Sequence, residues 1–162
     1  MSIAIAGPDV ITPEGHRRLT AELEQLTTVS RREVAEVLRH AREDGSHPEA
    51  NTAVADALDD VAALERRIEE LSAVLAQSQI AAPPPAGVVG IGQHVTVRVA
   101  PGATPINCRL VGAVEFDPAA GQISVESPVG QALLGLRVGD RVEVQTPGGE
   151  RTIEVLEVGA HA

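Results

Sequence analysis

Two long runs of heptad-spaced apolar residues constrain this chain more than any other feature. In each run, hydrophobic or small residues recur at steps of three and four. The positions are Leu19, Leu23, Leu26, Ser30, Val34, Val37 and Ala41, then Val54, Leu58, Val61, Leu64, Ile68, Leu71 and Leu75. Such a stripe is typical of helices that pack side by side. Because a short segment joins two runs of roughly 45 Å each at 1.5 Å per residue, the pattern predicts a long antiparallel two-helix coiled coil.

Local signals mark the start of the first helix and the bend between the two helices. Thr12-Pro13-Glu14 offers a hydroxyl N-cap, a proline at the first helical position and an acid in the first turn. The stretch Ala41–Asn51 between the runs contains Gly, Ser and Pro within four residues, and such residues end helices. We therefore expect a tip at about residues 44–51, with polar and acidic groups far from any core.

After the second run, the hydrophobic period changes from helical to two. The segment Gln79–Gly87 contains three consecutive prolines, which predict a stiff linker at residues 79–88. The runs typical of strands are Gln93–Val99, Ile106–Phe116, Gln122–Glu126, Arg141–Thr146 and Arg151–Val158. Ser127-Pro128 predicts a capped short helix that ends at Gly135. The chain is thus predicted to be α+β, with a hairpin at 1–78 and a small domain at 89–162.

The composition excludes several classes of function. The net charge is −10 and all 13 cationic residues are Arg, so independent binding of duplex DNA is not expected and a basic protein partner is favoured. No run of apolar residues is long enough to cross a membrane, and no targeting segment is evident, so we expect a cytoplasmic protein.

The chain also lacks the usual signs of a catalytic or metal site. Its single cysteine, Cys108, lies in an apolar run and is expected to be a small buried hydrophobe. Neither His94 nor His161 stands beside a nucleophile or a metal-ligand cluster in the sequence. We therefore expect no catalytic residue, no metal and no cofactor of its own.

Four arginines near the predicted tip allow two interpretations. On a helical wheel Arg32 and Arg39 point away from the seam, and Arg31 and Arg42 lie on one flank. They could form ion pairs four residues apart, as Arg32 with Glu36 and Arg39 with Glu43. Alternatively, they could form a cationic stripe that leads towards the tip and can contact a phosphate group. Arg66 and Arg67 on the second helix are expected to be ordinary surface residues.

Several motifs resemble the bacterial Gre transcript-cleavage factors. In the first half they are Thr12-Pro13-Glu14-Gly15, Leu19, Glu22-Leu23, and Ala41-Arg42-Glu43 followed by Gly45. In the second half they are Val111-Gly112, Ile123-Ser124, Ser127-Pro128-Val129-Gly130, Ala132-Leu133-Leu134-Gly135, Val138-Gly139-Asp140 and Val144-Gln145-Thr146-Pro147-Gly148-Gly149. The resemblance runs in order from about residue 11 to 158.

The resemblance implies a C-terminal domain that is FKBP-like in fold, without isomerase activity, and a partner, RNA polymerase. In that family the C-terminal domain docks at the rim of the polymerase secondary channel. Here the docking residues would be Ser127, Pro128, Ala132, Leu133 and Gly135, although the same segment could simply be a capped helix packed on the sheet. The coiled coil enters the channel and brings two tip acids to the polymerase magnesium, near the 3′ end of the nascent RNA. The polymerase then cleaves the RNA by metal-assisted hydrolysis.

The tip of this chain departs from the family pattern. The family reads approximately Gly-Asp-Leu-Ser-Glu-Asn, whereas this chain reads Gly45-Ser46-His47-Pro48-Glu49-Ala50-Asn51. Ser46 therefore replaces the first acid, Glu49 retains the second as a possible ligand of the polymerase magnesium, and Asp44 lies two residues too early. Magnesium prefers charged oxygen ligands, and a neutral hydroxyl is a poor substitute. His47 could serve as a base, but Pro48 restricts its backbone to extended conformations.

Three functions are compatible with these observations. The first is a polymerase-binding regulator that inhibits or modulates transcription with weak or no stimulation of cleavage. The second is a working cleavage factor in which Asp44 and Glu49 form the acidic pair. The third is a binding module unrelated to polymerase, such as a nucleoside diphosphate kinase regulator or an isomerase. The isomerase is disfavoured because Phe116 is the only aromatic residue, and the kinase regulator because its relatives have a shorter hairpin.

Overall fold

The computed structural model describes residues 9–43, 48–102 and 104–159, without the side chains of residues 41–42, 48–51 and 53. The described residues form two compact units. Residues 9–16 and 78–159 belong to one unit, and Arg17–Gln77 forms the other. Among the described residues, no helix is long and apolar enough to cross a membrane.

The hairpin unit consists of two helices of nearly equal length. Helix α1 spans Pro13–Glu43 and helix α2 spans Pro48–Gln77, with 31 and 30 residues. Seam positions on both helices are buried, among them Leu19, Val37, Val61 and Leu71. The helical first half predicted from the heptad spacing is therefore present.

One predicted seam position is wrong. Leu58 is 53% exposed, while the neighbouring Ala57 is half-buried. The seam of α2 thus runs through Val54, Ala57 and Val61, which keeps the alternation of three and four. Leu58 lies one helical step of 100° beyond Ala57, and this step turns its side chain towards the flank of the hairpin.

An ion pair joins the two helices on one flank of the seam. The Arg67 guanidinium donates to Glu22 Oε1 at 2.9 Å, across 45 residues of sequence, and also lies near Glu70. The hydrogen bond to Glu22 raises the pKa of Arg67 above its ordinary value. Both side chains are partly exposed to solvent, so the pair specifies the pairing of the helices more than it stabilises them.

A five-stranded sheet forms the larger part of the other unit. In spatial order the strands are β5 (Gln122–Ser124), β4 (Pro105–Val111), β3 (His94–Ala100), β7 (Gly149–Gly159) and β6 (Arg141–Thr146). The β4–β5 pair is parallel and the other pairs are antiparallel. The predicted α+β class is confirmed.

The core of this unit is aliphatic, as the lack of aromatics requires. Valines and leucines from alternate strand positions pack with Leu133 of helix α3, which spans Pro128–Leu133. Cys108 is 4% exposed and belongs to this core. Burial raises the pKa of its thiol to about 11, so the thiol stays neutral at physiological pH.

The segment predicted as a stiff linker forms part of the sheet unit. Strand β2, Gln79–Ile80, pairs in parallel with strand β1, Val10–Ile11. Val88 forms a bridge with Arg137 on the far side of the prolines. The predicted boundaries therefore differ from the structure, because strand pairing attaches residues 9–16 to the C-terminal unit.

The predicted strand through Phe116 is also shorter in the structure. It ends at Val111, and Ala113–Glu115 forms a 3-10 helix. Phe116 follows this turn and is 55% exposed. In this turn the apolar Val114 and Phe116 are exposed and the charged Glu115 is buried, which is the reverse of what their polarity predicts for a strand.

The state of Cys108 yields a testable expectation. We expect a disulfide reagent to leave the native thiol unmodified at pH 8 and to react fully in denaturant, since only the thiolate is nucleophilic. Because the folded pKa is raised, the unfolded state loses its proton first as pH rises. Stability should therefore fall between about pH 9 and pH 11, and Cys108→Ala should remove that part of the fall. Rapid reaction of the native thiol would contradict this account.

Candidate functional site

The structure describes only part of the predicted tip. Asp44, Ser46 and His47 lie outside the described residues. Glu49 is in the first turn of α2, which begins at Pro48, but its side chain is not described. The roles of Asp44, Ser46 and Glu49 therefore remain predictions from the sequence.

The arginines near the tip do not form the ion pairs that one of the two interpretations predicts. Arg31, Arg32 and Arg39 are exposed, and within the described part of the chain none of them forms an ion pair. The pairs expected for Arg32 with Glu36 and for Arg39 with Glu43 are therefore not formed. Arg42 lies in α1, with its side chain not described. The guanidinium groups of the other three are available for an anionic ligand.

Within the predicted docking segment, Ser127 caps helix α3 as the sequence suggested. The Ser127 hydroxyl accepts from the Gly130 amide at 3.0 Å and donates to the Ser124 carbonyl at 2.7 Å. Gly135 has a positive φ of 82° just after the helix, where a glycine is favoured.

Only part of this segment can contact a partner. Leu133 is fully buried in the core, so its predicted docking role is wrong: the side chain packs on the sheet instead. Ala132 is half-buried and also packs against the core, and the Ser127 side chain is already engaged in the cap. Pro128 and Gly135 are exposed, together with Gln131 and Glu126 beside them. The accessible surface is thus Glu126, Pro128, Gln131 and Gly135.

A buried carboxylate at the start of α1 was missed by the sequence analysis. Glu115 is 4% exposed, and its Oε2 accepts from the Thr12 amide at 2.8 Å and from the Gly112 amide at 3.3 Å. Its Oε1 accepts from the Thr12 hydroxyl, which also caps the Gly15 amide. The only sequence signal was an acid within an apolar run. We call these residues, with Arg109 and Glu14, the α1 anchor.

The remaining contacts of the α1 anchor lie closer to its surface. Arg109 donates to the Gly92 carbonyl at 3.1 Å and pairs with Glu14 at 2.6 Å. Two glycines permit the close packing: a Cβ on Gly15 would lie 1.9 Å from Glu115 Oε1, and one on Gly112 would lie 1.9 Å from the Val10 carbonyl oxygen. The first turn of α1 is therefore fixed within the sheet unit.

Among the described residues, no group of three or more His, Cys, Asp and Glu side chains lies close enough to hold a metal ion. The fold and its surfaces define a class: a hairpin of two helices of 31 and 30 residues joined to a small α+β unit. Three exposed arginines of α1 form no ion pair within the described residues, and the cap of α3 is accessible.

Family models match both parts of the chain. The model of the GreA/GreB transcription elongation factor C-terminal domain covers residues 84–160, and the model of the N-terminal domain covers residues 9–80. The chain belongs to the GreA/GreB family of transcription elongation factors, which confirms the resemblance.

Curated relatives support the same assignment over nearly the whole length. The transcription elongation factor GreA of Chloroflexus aggregans is 42% identical over 93% of this chain and 97% of its own. GreA of Bacillus cereus is 38% identical over 91% of this chain and 94% of its own. Among solved structures, the Thermus thermophilus GreA factor homolog 1 (Gfh1) is 26% identical over 94% of this chain and 99% of its own, with a TM-score of 0.44.

The α1 anchor is testable by a nearly isosteric change. Glu115→Gln removes the negative charge and one acceptor oxygen, so that its NH₂ group lies against either the Thr12 and Gly112 amides or the Thr12 hydroxyl. We expect a loss of about 2–3 kcal/mol in the free energy of unfolding, typical of hydrogen bonds to a buried charge. Denaturant titration measures this loss, and the exposed Glu126→Gln should change stability by less than about 0.5 kcal/mol. Equal effects of the two changes would contradict the anchoring role.

Proposed function

We propose that this chain binds RNA polymerase and inserts its hairpin into the secondary channel, where it modulates or inhibits transcription with weak or no stimulation of transcript cleavage. The observation that carries the proposal is a full-length family match joined to a tip that has Ser46 in place of the first acid. The protein acts in the cytoplasm as an accessory factor, and any hydrolysis of RNA is catalysed by the polymerase.

The tip chemistry explains why cleavage should be weak. Magnesium is held by oxygen ligands in near-octahedral geometry, usually by one or two carboxylates together with waters, so each carboxylate that the tip supplies strengthens a shared site. Glu49 supplies one carboxylate, whereas the Ser46 hydroxyl is neutral at pH 7 and brings no compensating charge. Loss of one placed electrostatic group commonly reduces a rate by about 10²–10³. A hairpin that occupies the channel without completing the metal site would obstruct nucleotide entry.

The contact surfaces of each unit fit this proposal. Pro128, Gln131 and Gly135 at the exposed cap of α3 would dock at the channel rim. Arg32 and Arg39, which lack ion pairs among the described residues, would contact phosphates near the RNA 3′ end. Helices of 31 and 30 residues also disfavour the alternative of a kinase regulator with a shorter hairpin.

A working cleavage factor is the second candidate, because Glu49 lies in the first turn of α2 at the end of the hairpin. In this alternative Asp44 would supply the other carboxylate. The two candidates differ in the role of position 46. Only in the first does the missing acid at this position explain weak cleavage.

A cleavage assay on purified backtracked complexes separates the two candidates. We expect the wild-type protein to release few short 3′ RNA fragments, and Ser46→Asp to raise their release by about 10²-fold. Ser46→Ala is the matched control and should leave cleavage unchanged. RNA synthesis should be reduced when the wild-type protein is added to the same polymerase. Rapid cleavage by the wild type that Asp44→Ala abolishes would favour the second candidate.

The arginine stripe generates a separate expectation. Arg39→Ala should raise the concentration needed for half-maximal inhibition of RNA synthesis about fivefold, or ~1 kcal/mol. The difference should shrink at higher salt because the contact is electrostatic. Arg66→Ala is the control, since Arg66 is also exposed and, among the described residues, hydrogen-bonds to the Ala62 carbonyl of its own helix. A salt-independent effect, or equal effects of both variants, would contradict contact with phosphate.

A further inference from the structure

A β-bulge shapes the outer face of the five-stranded sheet, which is the face turned away from the core. The register between β3 and β7 shifts after Thr96, which pairs with Glu157. The next residue of β3, Val97, pairs with Val155, so Leu156 is an extra residue of β7. Because side chains alternate along a strand, the extra residue places two consecutive side chains, those of Leu156 and Glu157, on the outer face.

These two side chains line a surface hollow of about 500 Å³, which we call the bulge hollow. Its apolar wall contains Leu156, which is half-buried, and Val138, which is 57% exposed. Its polar wall contains Thr96, Asn107 and Glu157. The Thr96 hydroxyl lies 2.9 Å from Asn107 Oδ1 and 3.3 Å from Glu157 Oε2. The bulge hollow thus combines apolar surface with hydrogen-bond acceptors.

The acceptors of the bulge hollow have spare capacity. A hydroxyl has one proton, so Thr96 donates to Asn107 or to Glu157 but not to both at once. A carboxylate can accept about four hydrogen bonds. Among the described residues, Glu157 has no hydrogen bond except the one with Thr96, and it has no ion pair. Its carboxylate is therefore available to a donor from outside the chain.

The other charged side chains of the outer face affect which ligand fits. By strand register this face contains Glu143, Glu150, Glu154, Glu157, Arg98, Arg109 and Arg141. Arg98 and Arg141 both pair with Glu154, and Arg109 pairs with Glu14. Arg137 and Asp140 beside Val138 add one charge of each sign, and His94 also lines the hollow. Within the described residues, the arginines on these strands are thus already paired, whereas Glu143, Glu150 and Glu157 have no cation.

We propose that the bulge hollow receives a lysine or arginine side chain of a protein partner. The apolar stem of such a side chain would pack on Leu156 and Val138, and its cationic head would donate to Glu157 and Asn107. The acid excess of the outer face and the net charge of −10 favour a basic partner in the same way. The identity of this partner rests on the proposed function, under which it is RNA polymerase.

The same charges argue against two other occupants. A phosphate group in the bulge hollow would be repelled by the carboxylate of Glu157, which no cation of the described residues neutralises. A second copy of this chain would bring a further charge of −10, so two copies repel each other. A basic protein surface is therefore the occupant that the charges favour.

Binding of the full-length protein to RNA polymerase, measured by fluorescence anisotropy, tests the proposal. Glu157→Gln keeps the shape of the side chain and removes its charge, so we expect binding to weaken about fivefold. Glu150→Gln is the matched control and should weaken binding less than about twofold. Glu150 is exposed on the same face, does not line the hollow, and its change alters the net charge equally. The difference between the two variants should shrink at high salt.

Site-specific photo-crosslinking identifies the occupant. A benzophenone amino acid in place of Val138 should crosslink to a polymerase peptide that contains lysine or arginine, whereas the same group in place of Glu150 should not. Val138 and Glu150 are both exposed, so far-ultraviolet circular dichroism of each variant should match the wild type.

The outcomes separate this proposal from the proposed function. Polymerase binding by the wild type with equal effects of Glu157→Gln and Glu150→Gln overturns the bulge hollow as a contact and leaves the proposed function intact. Absence of polymerase binding by the wild type overturns both. A crosslink from position 138 to a second copy, or to residues 160–162 of the same chain, assigns the hollow to this chain itself and also overturns the proposal.

Discussion

The buried carboxylate of Glu115 is the interaction on which the start of the hairpin depends. A charge removed from water is costly unless hydrogen bonds satisfy it, and here two backbone amides and one hydroxyl do so. The carboxylate also lies at the N-terminus of α1, where the helix dipole favours negative charge. All these partners come together only when strand β1 and the 3-10 helix are in place. Folding of the sheet unit and initiation of α1 are thereby coupled.

The hairpin distributes its stability unevenly along its length. Near the sheet unit the buried seam contains the leucines Leu19 and Leu71, whereas towards the tip it contains Ser30, Val37 and Val61. Smaller buried side chains give less hydrophobic stabilisation, at about 25 cal/mol per Å² of apolar area. Local opening should therefore cost less free energy towards the tip than near the sheet unit. Under the proposed function, contact with the partner would compensate for this weaker seam.

Residues whose environment is set by local sequence were predictable, and those set by tertiary packing were not. The Thr12 cap, the Ser127 cap and the exact span of Arg141–Thr146 follow from short-range rules on capping and alternation. By contrast, Leu58 and Ala57 are adjacent candidates for one seam position, and the smaller residue, Ala57, occupies it in the packed hairpin. The burial of Glu115 and Leu133 depends on residues far away in the sequence. The candidate site was predicted in the same uneven way: the unpaired arginines fit one interpretation, whereas part of the docking segment proved to be core.

Under the proposed function, the residues that bind the partner differ from those that would support catalysis, and the tip is altered only in the second group. Affinity then comes from the cap on α3 and from the free arginines of α1, which are side chains other than that of Ser46. A change at position 46 would then leave binding intact while it removes charge from the transition state of another enzyme. Interactions equal in the ground and transition states do not accelerate a reaction, so a bound hairpin that lacks this charge occupies the channel without catalytic benefit. The same scaffold can therefore serve cleavage or obstruction, according to whether one carboxylate is present.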